Sequence, residues 1–283
     1  PPILPDAPPV HAAPTAESPQ FIGREQELAR LDALWRNGRA VALIDGPAGS
    51  GKTHLVQKFG GDLSAAVQLT GRCYETTRAI PFHPWQSILQ QQLRHLDAEV
   101  VAQLAPYWRR QLGLLLPEFG EAGASPNLQQ LFRAIVHLLT GLDKRPRLLF
   151  LDDLQWADEA SLQLFQFLAQ QVVHAAGPLL LIGTFRAEET AENPTLVTLL
   201  VDLGRLPYFT RLSLPPFDEA ETEQLIAALW RQLPEGFRTP HIRDTLLQAT
   251  GGNPLYMTEI LQELTLAEAL PADLPLPPSL AAL

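Results

Sequence analysis

One short stretch limits the fold more than any other: an apolar run that ends in a glycine-rich loop. Ala40–Ile44 is apolar, Asp45 follows, and then come Gly46-Pro47-Ala48-Gly49-Ser50-Gly51-Lys52-Thr53. This is the pattern G-x-x-x-x-G-K-T, set after an expected strand and opening an expected helix. The glycines let successive backbone N–H groups point inward around phosphate oxygens, and the helix N-terminus adds partial positive charge. In such a loop Lys52 reaches the β- and γ-phosphates, and the Thr53 hydroxyl ligates magnesium. The alternative, a Gly-rich turn matching by chance, leaves the flanking strand and helix unexplained.

The rest of the chain supplies the sheet that such a loop needs. Apolar residues recur at helical spacing in Glu25–Trp35 (Leu28, Leu31, Leu34, Trp35). Strands are expected at Ala40–Ile44, Ala66–Leu69, Arg147–Leu151, Leu179–Gly183 and Phe209–Leu214. Helices are expected within Pro84–Leu116, broken at Pro106, then at Asn127–Leu142 and, capped by Asp158, at Ser161–Val173. Strands alternating with helices imply a parallel sheet covered on both faces. From Pro215 the pattern is purely helical: Asp218 and Glu221 resemble a capping box opening Ala220–Trp230, and Ile242–Ala249 and Leu255–Leu266 follow. The expected fold class is therefore α/β, a three-layer P-loop NTPase sandwich over residues 21–215. A small all-helical lid domain is expected over 216–283.

Residues 1–20 hold seven prolines and suit an extended interdomain linker rather than a core. A second cluster, Pro271 to Pro278, breaks the last helix. The first residue is proline and the only methionine is Met257. The expectation is a piece of a longer polypeptide, its lid truncated at the C-terminal end.

Composition narrows the function classes. No stretch approaches the ~18 consecutive apolar residues of a membrane helix. The single cysteine, Cys73, forms no internal disulfide, and no charged-then-apolar leader precedes the folded part, so a cytoplasmic setting is expected. With 21 basic and 31 acidic residues the net charge is −10, which argues against direct DNA contact by this segment. The seven histidines form no i,i+4 pair, and no G-x-S-x-G elbow occurs.

A second acidic site complements the loop. Leu148-Leu149-Phe150-Leu151-Asp152-Asp153 is an apolar strand ending in two acids. Lying beside the loop strand, it would bring Asp152 to the magnesium through water and leave Asp153 to orient or deprotonate an attacking water. The competing reading, a pair of acids that merely caps the next helix, suits Asp158 better. Thr184 and Arg186 close the Leu179–Gly183 strand, where ligands of open α/β sheets sit. A cation there can sense the γ-phosphate, or Arg186 is a solvated loop residue.

Together these residues resemble a family. Phe21-Ile22-Gly23-Arg24-Glu25-Gln26-Glu27-Leu28 looks like the F-x-G-R-E-x-E-L box of the signal-transduction (STAND) ATPases, relatives of the AAA+ proteins. The resemblance continues through Asp152-Asp153-Leu154-Gln155-Trp156-Ala157-Asp158 and Gly183-Thr184-Phe185-Arg186 to Gly251-Gly252-Asn253-Pro254-Leu255. It implies an ATP-dependent switch that binds ATP or ADP with Mg2+ inside a large bacterial transcription regulator, of the kind with a bacterial transcriptional activator domain or of the LuxR type. Its implied partners are upstream and downstream domains of the same polypeptide, with self-association in the ATP state. Carried over, Ile22 and Arg24 lie near adenine and ribose, and Pro254 touches the base from the lid. Gly46, Pro47, Ala48, Gly49, Ser50, Gly51, Lys52, Thr53 and His54 complete the nucleotide contacts. Thr53 and Asp152 hold the metal, and Asp153, Lys52 and Arg186 are the expected catalytic residues. Motor-type AAA+ proteins place glutamate where this chain has Asp153, one methylene shorter, so slow hydrolysis is expected. A motor or remodelling ATPase is the alternative, separable by turnover and ring closure; the paired acids and helical lid disfavour a P-loop kinase.

Overall fold

The computed structural model describes residues 21–120, 127–230, 233, 235 and 240–266; the proline-rich stretch 1–20 and the cluster at Pro271–Pro278 lie outside them. Five strands, β1 (Arg39–Asp45), β2 (Val67–Arg72), β3 (Arg147–Asp152), β4 (Leu179–Phe185) and β5 (Phe209–Ser213), form one sheet in the order β2-β3-β4-β1-β5. All neighbours run parallel. The expectation that the Asp152 strand lies beside the loop strand is corrected here. β4 stands between them, paired with β1 from Arg39↔Leu179 to Asp45↔Phe185 and with β3 on its other side. The burial pattern explains the order. Every residue of β4 is buried, as a strand flanked on both edges requires, whereas β2 alternates buried and exposed positions and takes an edge.

The helices are α1 (Glu25–Arg36), α2 (Lys52–Gly61), α3 (His83–His95), α4 (Ala98–Ala102), α5 (Pro106–Leu112), α6 (Leu128–Thr140), α7 (Glu159–Gln171), α8 (Pro194–Leu203), α9 (Glu219–Trp230), α10 (Pro240–Thr250) and α11 (Pro254–Leu266). Because strand side chains alternate, the central strands feed two cores. Val41, Leu43, Leu149, Leu151 and Leu181 pack with Ile88, Leu138, Phe165 and Leu199 from α3, α6, α7 and α8. Ala42, Ile44, Leu148, Phe150 and Ile182 pack the other way, on Leu31 of α1 and on Leu55, Val56 and Phe59 of α2. Each fully buried aliphatic side chain contributes ~1.5–3 kcal/mol, so the alternation fixes the register of the whole sheet.

Local chemistry sets the helix starts. Asn127 accepts from Gln130 N at 3.0 Å, and Asp158 accepts from Ser161 N at 2.8 Å, the cap expected of it. At α9 the box is reciprocal: Asp218 N donates to Glu221 at 3.1 Å and Glu221 N to Asp218 at 2.8 Å. The outer edge of β2 is closed by a side chain. Gln91 of α3 accepts from Thr70 N at 2.9 Å and donates to Thr70 O at 2.7 Å, standing in for a neighbouring strand. A third apolar cluster joins Leu225, Ile226, Leu246, Met257, Ile260 and Leu264 of α9, α10 and α11, with Ile22 and Phe217 packed on it. Among the described residues no helix is long and apolar enough to cross a membrane.

Candidate functional site

The glycine-rich loop joins β1 to α2 at the carboxyl edge of the sheet. Gly46 passes so close to its neighbours that a Cβ there would stand 2.5 Å from Leu214 O and 2.8 Å from Ser50 Oγ. Gly49 has φ +76, and a Cβ would stand 2.7 Å from both Asn253 Oδ1 and Leu255 Cβ. Helix α11 therefore starts directly against the loop.

Lys52 is buried at the head of α2, and its Nζ donates to Gly46 O at 2.7 Å and Pro47 O at 2.9 Å. Burial holds its pKa below the usual lysine value; the charge of Arg186 pushes the same way, against Asp153, Glu188 and Asp152. One residue on, Thr53 Oγ1 lies 3.0 and 2.9 Å from the two Asp152 oxygens. Thr184, on the intervening strand β4, donates its hydroxyl to Asp152 Oδ1 at 2.6 Å and accepts from Asp153 N at 3.0 Å. The Asp152 carboxyl is raised, first by burial and further by Asp153, with the Thr184 and Thr53 hydroxyls and Arg72 countering.

Asp153, the residue after β3, lies in the left-handed region, at φ 61. Its carboxylate receives Gln155 Nε2 at 3.1 Å and Arg72 Nη2 at 3.3 Å. Arg72 is the register partner of Asp152 across β2 and β3, and its Nε stands 3.8 Å from Asp152 Oδ2. Gln155 Oε1 in turn accepts from Arg186 N at 3.2 Å. One buried amide thus connects the second acid to the arginine that follows β4. The Arg186 guanidinium pairs with Glu189 at 2.6 Å and lies 4.8 Å from the centre of the Trp156 ring.

On the other side of the loop, Arg24 is buried with φ 65, in the left-handed region. Its Nη2 donates to Pro215 O at 2.5 Å and Ser50 O at 3.5 Å, and its guanidinium stacks 4.7 Å from the Phe217 ring centre. Ile22, two residues earlier, packs on the apolar cluster of α9, α10 and α11. His54 is exposed on α2, and Pro254 is half-buried as the first residue of α11. The side chain that reaches the loop is that of its neighbour: Asn253 Nδ2 donates to Ala48 O at 2.9 Å while its Oδ1 accepts from Leu255 N at 3.0 Å.

The structure brings Lys52, Thr53, Asp152, Asp153 and Arg186 to one sheet edge, with Arg24 and Pro254 on the side of the loop that faces the C-terminal helices. Sequence reasoning missed Arg72, Gln155, Glu221 and Asn253 as members of the site. The Asn-Pro pair before α11 carried a readable cap signal, but no local pattern pointed its amide at Ala48. The residues fit a magnesium nucleotide. Thr53 and Asp152 present hard oxygen ligands together, and among the described residues Arg24 Nε and Ser50 Oγ are buried polar atoms without a hydrogen-bond partner.

The parallel sheet order β2-β3-β4-β1-β5, with a glycine loop on β1 and paired acids ending β3, defines a P-loop NTPase fold followed by a helical segment. Residues 20–182 match the AAA ATPase domain family, and the chain belongs to that family. Such a domain binds nucleotide, typically with magnesium. Two solved structures share the fold. Cdc6p from Pyrobaculum aerophilum is 18% identical with a TM-score of 0.56, over 88% of this chain and 64% of that one. A Walker-type ATPase of Pyrococcus abyssi is 17% identical with a TM-score of 0.51, over 86% of this chain and 67% of that one. This chain thus spans somewhat less than two thirds of the Pyrobaculum protein. No curated protein sequence matches it.

Proposed function

We propose that this chain is the ATP-binding, slowly hydrolysing switch module of a signal-transduction ATPase, ADP-held when off and ATP-held when on. It acts in the cytoplasm and controls transcription through effector domains outside residues 1–283, with 1–20 as linker, 21–215 as ATPase domain and 216–283 as lid. Lys52 and the backbone N–H groups of Gly46, Ala48, Gly49, Ser50 and Gly51 hold the phosphates, with Pro47 shaping the loop and His54 at the rim. Ile22, Arg24 and Pro254 border base and ribose. Thr53 and Asp152 would hold magnesium, which supplies neutralisation of phosphate charge when bound. Asp153 takes a proton from the attacking water at its carboxylate, and Arg186 reads the terminal phosphate.

One observation carries slow turnover. Asp153 is already engaged by Arg72 and Gln155, at 3.3 and 3.1 Å, and is a methylene shorter than glutamate. Taking up a proton weakens both contacts, because each donor bonds best to the ionised carboxylate. The partners of such a switch are the flanking domains and, in the ATP state, further copies of itself; direct DNA contact is left to the effector. Turnover measured alongside size-exclusion chromatography in ADP and in a non-hydrolysable ATP analogue tests this. Slow turnover with a nucleotide-dependent change in size or shape is expected. Rapid turnover from a closed ring would return the chain to the motor class.

A further inference from the structure

Arg186 is not a free cation waiting at the sheet edge. Its guanidinium is paired with Glu189 at 2.6 Å and laid on the Trp156 ring, 4.8 Å from the ring centre. The backbone around it is fixed as well. Arg186 N donates to Gln155 Oε1 at 3.2 Å, and Arg186 O accepts the Thr190 hydroxyl at 3.0 Å. Gln155 is itself held, its carbonyl accepting from Asn193 Nδ2 at 3.2 Å. With the main chain pinned at both ends, the freedom that remains to Arg186 is rotation of its side chain. Glu189 sits three residues on, in a turn that keeps its carboxylate within reach of the guanidinium.

A carboxylate and a terminal phosphate are alternative partners for one guanidinium fork, since both accept its N–H groups in charge-assisted bonds. Arg186 and Glu189 are each about a quarter exposed, 26% and 27%, so the pair is neither dry enough to be permanent nor wet enough to be negligible. The Trp156 face adds a flat apolar support for the same position. Glu189 therefore stands where it can compete with the nucleotide for Arg186. A diphosphate offers Arg186 no third phosphate and leaves the pair intact, whereas a triphosphate must break it.

We propose that Glu189 is a specificity-determining residue that parks Arg186 against Trp156 and so sets how strongly the site prefers ATP over ADP. This rests on the reading of Arg186 as the residue facing the terminal phosphate, and it names the internal anion that opposes that contact. The pair acts as a threshold: ATP is retained only when its phosphate wins Arg186 from Glu189, and the ADP state is the resting one without any change in the loop that grips the β-phosphate.

The test is a double-mutant cycle read by calorimetry with two probes, ADP and a non-hydrolysable ATP analogue, each with magnesium. Glu189→Gln keeps the shape but weakens the pairing. It is expected to tighten analogue binding about fivefold, the equivalent of ~1 kcal/mol, and to leave ADP binding within about twofold. In an Arg186→Ala background the same substitution should change neither ligand. A stabilising role in the fold alone would move both ligands together and would survive removal of Arg186. If Glu189→Gln leaves the analogue unchanged while Arg186→Ala still weakens it selectively, Glu189 is no competitor and the role of Arg186 stands. If Arg186→Ala weakens neither ligand selectively, the reading of Arg186 and the inference built on it both fall.

Discussion

The carboxylate of Glu221 closes the capping box of α9 with one oxygen and accepts the Arg24 amide at 3.0 Å with the other. A single side chain therefore ties α9 to the Gly23-Arg24 turn that precedes α1. The approach is close on both sides, since a Cβ on Gly23 would stand 2.7 Å from the same oxygen. Arg24 in turn carries its guanidinium to Pro215 O and Ser50 O, so a chain of hydrogen bonds runs from α9 to the loop.

Glu221→Ala is accordingly expected to lower stability by ~1–3 kcal/mol, through the lost cap and the unpaired Arg24 amide. Urea denaturation measures this. Nucleotide affinity should fall with it. A variant that loses stability but binds ADP and ATP as before would mean that the contact is a cap only.

Lys52→Ala should abolish nucleotide binding and leave the fold intact. Among the described residues its ammonium bonds to carbonyls of its own loop, Gly46 O and Pro47 O, and burial already disfavours its charge. Removing it forfeits phosphate contacts worth ~1.5–3 kcal/mol each while the apo protein loses little. Calorimetry with ADP, beside an unchanged circular dichroism spectrum, gives the expected pair of results. Parent-like ADP affinity would undo the assignment of the loop.

The two acids should separate cleanly. Asp153→Asn is expected to keep ATP binding and stop the residual hydrolysis, because an amide accepts no proton from water. Asp152→Asn should weaken binding only when magnesium is present. Arg72→Ala frees the Asp153 carboxylate and should raise turnover. Unchanged phosphate release in all three variants would reduce this cluster to a structural cap.

Residues 1–283 should show no measurable DNA binding at physiological salt, given the net charge of −10. Non-specific affinity scales with the number of phosphates neutralised by Lys and Arg. A shifted band at micromolar protein in a gel assay would locate a basic face that the total charge conceals.

What the sequence revealed, and what it hid, divides along the range of the interactions. The loop, the apolar strand ending in Asp152-Asp153 and the Asp218–Glu221 box are patterns within a few residues, and each sits where the local reading puts it. Strand order is a long-range property. Nothing in Leu179–Phe185 but its unbroken burial marks it as the strand between β1 and β3, so Thr184 was not read as the group joining Asp152 to Asp153. No local pattern singles out Arg72; the β2–β3 register sets it opposite Asp152. Side chains with two partners were half legible. The capping role of Glu221 follows from spacing, but its bond to Arg24 spans 197 residues and leaves no local trace.

Asn253 allows the last of these double roles to be split. Its Oδ1 caps α11 by accepting from Leu255 N at 3.0 Å, and its Nδ2 donates to Ala48 O in the loop at 2.9 Å. Asn253→Ala removes both functions, and loss of the cap should lower stability by ~0.5–2 kcal/mol. Asn253→Asp keeps an acceptor for the helix but sets a carboxylate against the Ala48 carbonyl and beside the bound phosphates. Two orders are therefore expected, and they cross. Stability should run parent, then Asp, then Ala, because aspartate caps almost as well as asparagine. Affinity for ADP and for ATP should run parent, then Ala, then Asp, because the aspartate adds like-charge repulsion to the lost donor. Denaturation and calorimetry on the same three proteins give both orders. If affinity merely follows stability, the lid meets the loop by packing alone and the Asn253 amide carries no coupling between them.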